Sequence, residues 1–119
     1  MVPERTTDLS SELGRVPRVL AGREIYFDWE GFFWDAADWS EEVAALLAQE
    51  CGLAELTETH WKVMRFFREY YAYHGRSSLN RQLREGTGLS LAELEGLFPG
   101  GIRLGARRLS GLPNPKSCF

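Results

Sequence analysis

The 119-residue chain is poor in the residues from which most catalytic and metal centres are built. It has two histidines, His60 and His74, and two cysteines, Cys51 and Cys118, none at a ligand spacing such as CxxC or HxxxH. So few cysteines exclude the disulfide-stapled scaffold of small secreted domains. A Cys51–Cys118 bridge is compatible with the count but is disfavoured in a reducing compartment. No metal and no cofactor are expected. Long apolar runs are also missing: nothing approaches the ~18 residues of a membrane-spanning helix. The opening Met1-Val2-Pro3-Glu4-Arg5 lacks the apolar core of a signal peptide, so a cytoplasmic location is expected. Acid is absent from the last 24 residues, which hold Arg103, Arg107, Arg108 and Lys116. The net charge of −3 therefore divides into −7 over residues 1–95 and +4 over 96–119. A basic last helix complementing its own dipole accounts for this. So does an electropositive setting for a thiolate or an anionic partner.

What is present fits one domain of ordinary composition, 44% hydrophobic and 26% charged. Residues 1–17 are polar, with scattered Pro, Ser, Thr and Gly, and are expected to form a loose extension. Val19-Leu20 and Glu24-Ile25-Tyr26-Phe27 flank a turn at Ala21-Gly22-Arg23 and predict a hairpin. Asp28-Trp29-Glu30-Gly31 then turns into Phe32-Phe33-Trp34. The remainder predicts about five helices. Ser40 caps Glu41 to about Gln49, with Val43, Leu46 and Leu47 on the apolar face and Gly52 closing it. Thr57 caps a long helix from Glu58 to His74, ended by Gly75. Its predicted inner stripe is Trp61, Met64, Phe67 and Tyr71. Ser78 is expected to open a short helix with Leu79 and Leu83. Ser90-Leu91-Ala92-Glu93 is a capping box, and a last helix is expected over Gly101–Leu109. Pro113 and Pro115 exclude a regular helix beyond Gly111, so residues 112–119 are expected to be a flexible extended arm on an 18–111 body. The fold class is α+β, mostly helical, with an N-terminal hairpin packed on the helices.

The arm carries the chemistry-bearing group. Cysteine exchanges sulfur as the thiolate, and cations lower its pKa from about 8.5. Lys116 lies two residues from Cys118, and the arginines of the last helix lie just upstream. An exposed thiol in that setting suits persulfide formation or thiol exchange. An incidental terminal cysteine is the alternative. Cys51 is expected to be buried as a small hydrophobe. His60 and His74 read as structural or surface residues, and the aromatic stripe as core. Gly100-Gly101 lacks the pattern and the Lys-Ser/Thr of a phosphate loop.

Several stretches together resemble the DsrC/TusE family, which includes the gamma subunit of dissimilatory sulfite reductase and the TusE sulfur-relay proteins. They are Trp29-Glu30-Gly31-Phe32, Trp39 with Val43-Ala44, Leu56-Thr57-Glu58-Thr59-His60-Trp61 and Phe67-Arg68-Glu69-Tyr70-Tyr71. Arg81, Leu97-Phe98-Pro99-Gly100-Gly101 and Gly111-Leu112-Pro113-Asn114-Pro115-Lys116-Ser117-Cys118 complete the set. The similarity runs from about Gly22 to Phe119. It implies that Cys118 matches the penultimate cysteine that carries sulfur as a persulfide. Members serving sulfite reductase have a second cysteine eleven residues earlier, where this chain has Arg107. The chain thus resembles the single-cysteine, TusE-like branch, which relays sulfur toward 2-thiouridine in tRNA. Asn114 stands where Lys is usual.

The leading expectation is a sulfur carrier, sulfurtransferase-like rather than a stand-alone turnover enzyme, and monomeric. Its expected partners are a TusBCD- or DsrEFH-like protein donor and a thiouridylase-like or sulfur-oxidation acceptor. Arg81, Arg103, Arg107 and Lys116 are candidates for docking and electrostatic support. A role beside sulfite reductase or a sulfur-oxidising complex is a second reading. A DNA-binding regulator with a helix-turn-helix over residues 78–98 is a third, opposed by Glu85, Glu93 and Glu95.

Overall fold

The computed structural model describes residues 14–114. Strands β1 (Val16–Leu20) and β2 (Arg23–Phe27) pair antiparallel, from Val16 opposite Phe27 to Leu20 opposite Arg23. The strand starts at Val16, inside the stretch expected to be loose. A two-residue loop joins the strands. Ala21 (φ 53°) and Gly22 (φ 76°) both take positive φ, the geometry that matches strand twist in a tight hairpin. Arg23 therefore belongs to β2 rather than to the turn. Alternation along β2 buries Ile25 and Phe27. Asp28 then reverses the chain. Its N–H donates to the Phe32 carbonyl at 2.8 Å, and its own carbonyl accepts from Gly31 N at 3.0 Å. The return brings Phe33 beside Phe27, ring edge to face at 4.9 Å.

A 3-10 turn at Ala36–Asp38 leads into the helices. Helix α1 (Glu41–Glu50) is capped by Ser40, whose Oγ accepts from Val43 N at 3.2 Å. Helix α2 (Glu58–His74) opens on Thr57 and ends at Gly75 (φ 74°). Its cap is closed by a histidine: Thr57 N donates to His60 Nδ1 at 3.0 Å. The buried stripe of α2 is His60, Val63, Met64 and Phe67, the i, i+3, i+4, i+7 face. Trp61 and Tyr71, expected inside, are half-buried flanks. Size misled here: a small β-branched Val and a hydrogen-bonded His pack closer than the large rings. His60 Nε2 lies 2.9 Å from the Leu97 carbonyl, tying α2 to the end of the fourth helix.

Helix α3 (Asn80–Thr87) is capped at Leu79 rather than Ser78, with the Gln82 side chain accepting from Leu79 N at 2.8 Å. Ser78 is buried instead. Helix α4 (Leu91–Leu97) has the expected Ser90–Glu93 capping box. The last helix lies where expected, but α5 (Ile102–Arg107) is π-helical, running into ordinary helix at Arg108. Such wide turns are rare and are frequently found at functional sites. Helix α2 packs against α3 and α5, and α4 against both of those. A single core joins Ile25, Phe27 and Phe33 of the hairpin to Leu47, Met64, Phe67, Leu83, Leu94 and Leu109.

The chain beyond α5 is part of that core. Leu112 is fully buried. Gly111 (φ 79°) lies flat against the Trp39 ring, and an added Cβ there would meet the indole. Gly111→Ala should therefore lose the left-handed backbone preference, roughly 1–2 kcal/mol, and also displace Trp39. A urea unfolding midpoint well below wild type is expected, and an unchanged midpoint would contradict this packing.

Candidate functional site

The candidate site is the region where the chain leaves α5 toward its C-terminus. Two side-chain donors fix the backbone there. Trp39 Nε1 donates to the Leu109 carbonyl at 2.8 Å. Arg68, on α2, donates from Nη1 to the Ser110 carbonyl (2.9 Å) and from Nη2 to the Ala36 carbonyl (3.0 Å). Its guanidinium stacks over the Trp39 ring, 4.4 Å from the centroid. Burial lowers the Arg68 pKa from the ordinary arginine value. Ser110 Oγ donates back to the Ala106 carbonyl at 2.6 Å, filling an acceptor near the end of the helix.

Past this clamp, Asn114 sits at 8% exposure between the Asp28–Gly31 turn and α5. Its Nδ2 donates to Asp28 Oδ2 (2.9 Å) and to Glu30 Oε1 (2.5 Å). Arg103 Nη2 bridges Glu30 Oε1 (2.8 Å) and Asn114 Oδ1 (3.2 Å). Asp28, Phe33, Trp34, Pro113 and Asn114 line a groove of about 280 Å³ beside this network. Trp34 and Trp29 are exposed nearby, at 45% and 72%.

The named candidates fall in three places. Arg103 is at the root of the C-terminal segment, in the network just described. Arg107 is half-buried one helical turn on. Its Nη2 donates to the Ser78 carbonyl at 2.8 Å, and its guanidinium lies 5.8 Å from the Phe67 ring centroid. Arg81 is elsewhere, on the α3–α4 groove of about 470 Å³, with Arg84, Glu85 and Glu93 around it. Lys116 and Cys118 lie outside the described residues. Cys51, expected to be buried, is only half-buried, and Arg108 Nη2 donates to its Sγ at 2.8 Å. It caps α1, where the helix meets the surface, and the guanidinium comes from 57 residues away. Among the described residues no three His, Cys, Asp or Glu side chains are grouped to hold a metal ion. Among the described residues, no helix is long and apolar enough to cross a membrane.

Sequence reasoning missed Arg68, Trp39, Asp28 and Glu30 as builders of this region. The nearest signal was the pairing of an aromatic with a cation in the hydrophobic stretches quoted above, which does not reveal a partner dozens of residues away.

A hairpin-plus-helices domain that fixes the root of a cationic, cysteine-tipped C-terminal segment is the architecture of a small carrier protein. The chain belongs to the DsrC-like family, whose model, "DsrC like protein", matches residues 19–119. It is 36% identical over 108 residues to the "Sulfurtransferase TusE" of Photorhabdus laumondii, covering 85% of this chain and 96% of that one. It is 32% identical over 97 residues to "Sulfite reductase, dissimilatory-type subunit gamma" of Nitratidesulfovibrio vulgaris, covering 82% and 92%. The oxidized gamma subunit of dissimilatory sulfite reductase (DsrC) from Archaeoglobus fulgidus superposes with a TM-score of 0.75 at 32% identity, covering 87% of this chain and 100% of that one.

Replacing Arg68 with Ala should leave the buried Ser110 carbonyl without its side-chain donor, while the Ala36 carbonyl keeps only the Trp39 N–H. A cost of about 1–3 kcal/mol is expected from such an unmet group, read as a lowered unfolding midpoint in denaturant. A midpoint within error of wild type would mean that the clamp is dispensable.

Proposed function

We propose that the protein is a cytoplasmic sulfur-relay carrier that holds sulfane sulfur as a persulfide on Cys118. The observation that carries this reading is the family match, which runs through the last residue and so takes in Cys118. The names of the relatives, a sulfurtransferase and a sulfite reductase subunit, support sulfur as the cargo. The work of such a carrier needs protein partners, one that delivers sulfur and one that takes it.

The chemistry is sulfur exchange without net oxidation. The Cys118 thiolate attacks the outer sulfur of a donor's persulfide. A new S–S bond forms at Cys118, the donor's S–S bond breaks, and the donor leaves as its thiolate. An acceptor thiolate then attacks the same outer sulfur and releases the Cys118 thiolate. Arg107 stands where a second cysteine would be needed for an internal disulfide or trisulfide, so sulfur passes between proteins. This favours the TusE-like role in tRNA 2-thiouridine synthesis, with a TusBCD- or DsrEFH-like donor and a thiouridylase-like acceptor. A sulfur-oxidation complex is the other acceptor. Arg103, Arg107 and Lys116 supply cationic surroundings for a thiolate or persulfide anion, and Arg81 is a candidate for docking.

The DNA-binding reading finds no support. Arg81 and Arg84 share their groove with Glu85 and Glu93, whose charge opposes a phosphate backbone.

Intact mass after incubation with inorganic polysulfide tests the carrier. One added sulfur atom is expected in wild type and in Cys51→Ser, and none in Cys118→Ser. No gain in wild type would remove the reading. Arg107 is tested by following Cys118 alkylation against pH. Arg107→Ala should raise the apparent thiol pKa, and an unchanged value would show that the guanidinium does not assist.

A further inference from the structure

The groove at the Asp28–Gly31 turn has one charged side chain in its lining. Asp28, Phe33, Trp34, Pro113 and Asn114 surround about 280 Å³, slightly below the roughly 300–1,000 Å³ of pockets that take drug-sized ligands. The space suits one long side chain. Phe33 is buried and supplies an apolar surface, and Trp34, 45% exposed, supplies an indole. Asp28 carries the charge. Its Oδ1 accepts from Glu30 N (2.9 Å) and Phe32 N (3.0 Å), and its Oδ2 accepts from Asn114 Nδ2 (2.9 Å). An ionised carboxylate has about four acceptor positions, so most are filled, all by uncharged N–H donors. Among the described residues, no cation pairs with Asp28. The arginines at this end of the domain are engaged by other groups. Arg103 bonds Glu30 and Asn114, and Arg108 bonds the Leu104 carbonyl and Cys51 Sγ. Arg15 lies over the Tyr26 ring, 4.7 Å from its centroid. Asp35, next to Trp34, adds a second carboxylate, which accepts from the Ala37 N–H.

We propose that this groove receives an arginine side chain of a partner protein. A half-buried carboxylate with no counter-ion, set beside an aromatic ring, selects a cation. The planar guanidinium suits both groups at once. It stacks on an indole while its N–H groups pair with a carboxylate, whereas a lysine ammonium is a strongly hydrated point charge. The domain already uses this mode internally: Arg68 lies 4.4 Å from the Trp39 ring centroid while carbonyl oxygens accept from its N–H groups. Trp29 extends the surface. It and Trp34 both come within 4 Å of the position that a Cβ on Gly14 would take, so the two indoles are neighbours. Trp29 is 72% exposed. Tryptophan and arginine are enriched among the side chains that dominate protein–protein binding, which favours a protein over a small molecule as the source of the guanidinium. Residues 1–95 hold every acid of the chain and its net negative charge, which draws a basic partner face.

The probe is N-acetyl-arginine amide, whose blocked ends leave the guanidinium as its one charge. It is titrated into isotope-labelled full-length protein and followed by NMR at the indole N–H resonances of the four tryptophans. The Trp34 resonance should shift and saturate, while that of Trp61 on α2 stays in place. The near-isosteric, uncharged N-acetyl-citrulline amide should bind roughly tenfold more weakly. Trp34→Leu keeps an apolar wall without the ring, and should weaken the arginine probe about fivefold at an unchanged unfolding midpoint. Asp28 is left intact, because an amide there would set a donor against Asn114 Nδ2. If Trp34→Leu does not fold, the arginine and citrulline probes on wild type alone decide. Equal affinity for those two probes, or no saturable shift at Trp34, would overturn the proposal. Tighter binding of free arginine than of the blocked form would assign the groove to a small molecule and overturn it too. So would a gain in probe affinity in Lys116→Ala, which would assign the groove to the chain's own lysine. Loading of Cys118 by polysulfide is read separately by mass and should be the same in Trp34→Leu, so the carrier reading and this one stand or fall apart.

Discussion

The structure depends on holding the backbone of Leu109–Gly111 in place. This strand of carbonyls leaves the last helix where no helical N–H follows to meet it. Trp39 and Arg68 provide the missing donors, from 70 and 42 residues away. They stack on one another, so that the two donors are mutually supported. Gly111 fits against the Trp39 face because it carries no side chain and can take a left-handed backbone. The same Arg68 also reaches Ala36, so the turn before α1, the long α2 and the end of α5 meet at one guanidinium. Burying a cation there is sustained by carbonyl oxygens on one side and a ring on the other.

This clamp determines where the C-terminal residues leave the domain. Immediately beyond it, Leu112 is buried and Asn114 is held by Asp28, Glu30 and Arg103. The Asp28–Gly31 turn after β2 thus has a role that its position near the start of the chain does not suggest. It receives the other end. The wide turn of α5 serves the same region. Gly105 sits so close to Phe98 and Pro99 that an added Cβ would come within 2.5 Å of the Pro99 carbonyl oxygen. The π-helical path therefore presses the helix onto the preceding turn while Arg103 and Arg107 project toward Glu30 and Ser78.

Much of the fold was legible because it is local. Thr57, Ser40 and the Ser90–Glu93 pair announce helix starts by supplying oxygens to the first free N–H groups. Gly75 marks the end of α2 by taking positive φ. Alternation around Ala21-Gly22 marked the hairpin. What failed to show was set by distant partners. Val63 and His60 displaced Trp61 and Tyr71 from the inner stripe because close packing against α3 and α5, and the His60 contact with the Leu97 carbonyl, favour small or hydrogen-bonded groups. Ser78 is buried rather than capping, with its carbonyl accepting from Arg107. Cys51 sits at the surface end of α1, where Arg108 meets it.

The sequence by itself determined most helix starts and stops, the hairpin, the charge division between body and C-terminal segment, and the family to which the residues point. Each of these is carried by neighbours within a turn or two, or by residue identity in order. Only the tertiary structure decided what Leu112 and Asn114 pack against. Two prolines and an Asn look like the start of an arm, because nothing nearby in sequence can bury them. The partners of Asn114, Asp28 and Glu30, lie 86 and 84 residues upstream. A contact of that separation leaves no periodicity or cap to read, and it exists only once the hairpin turn and the last helix have packed together.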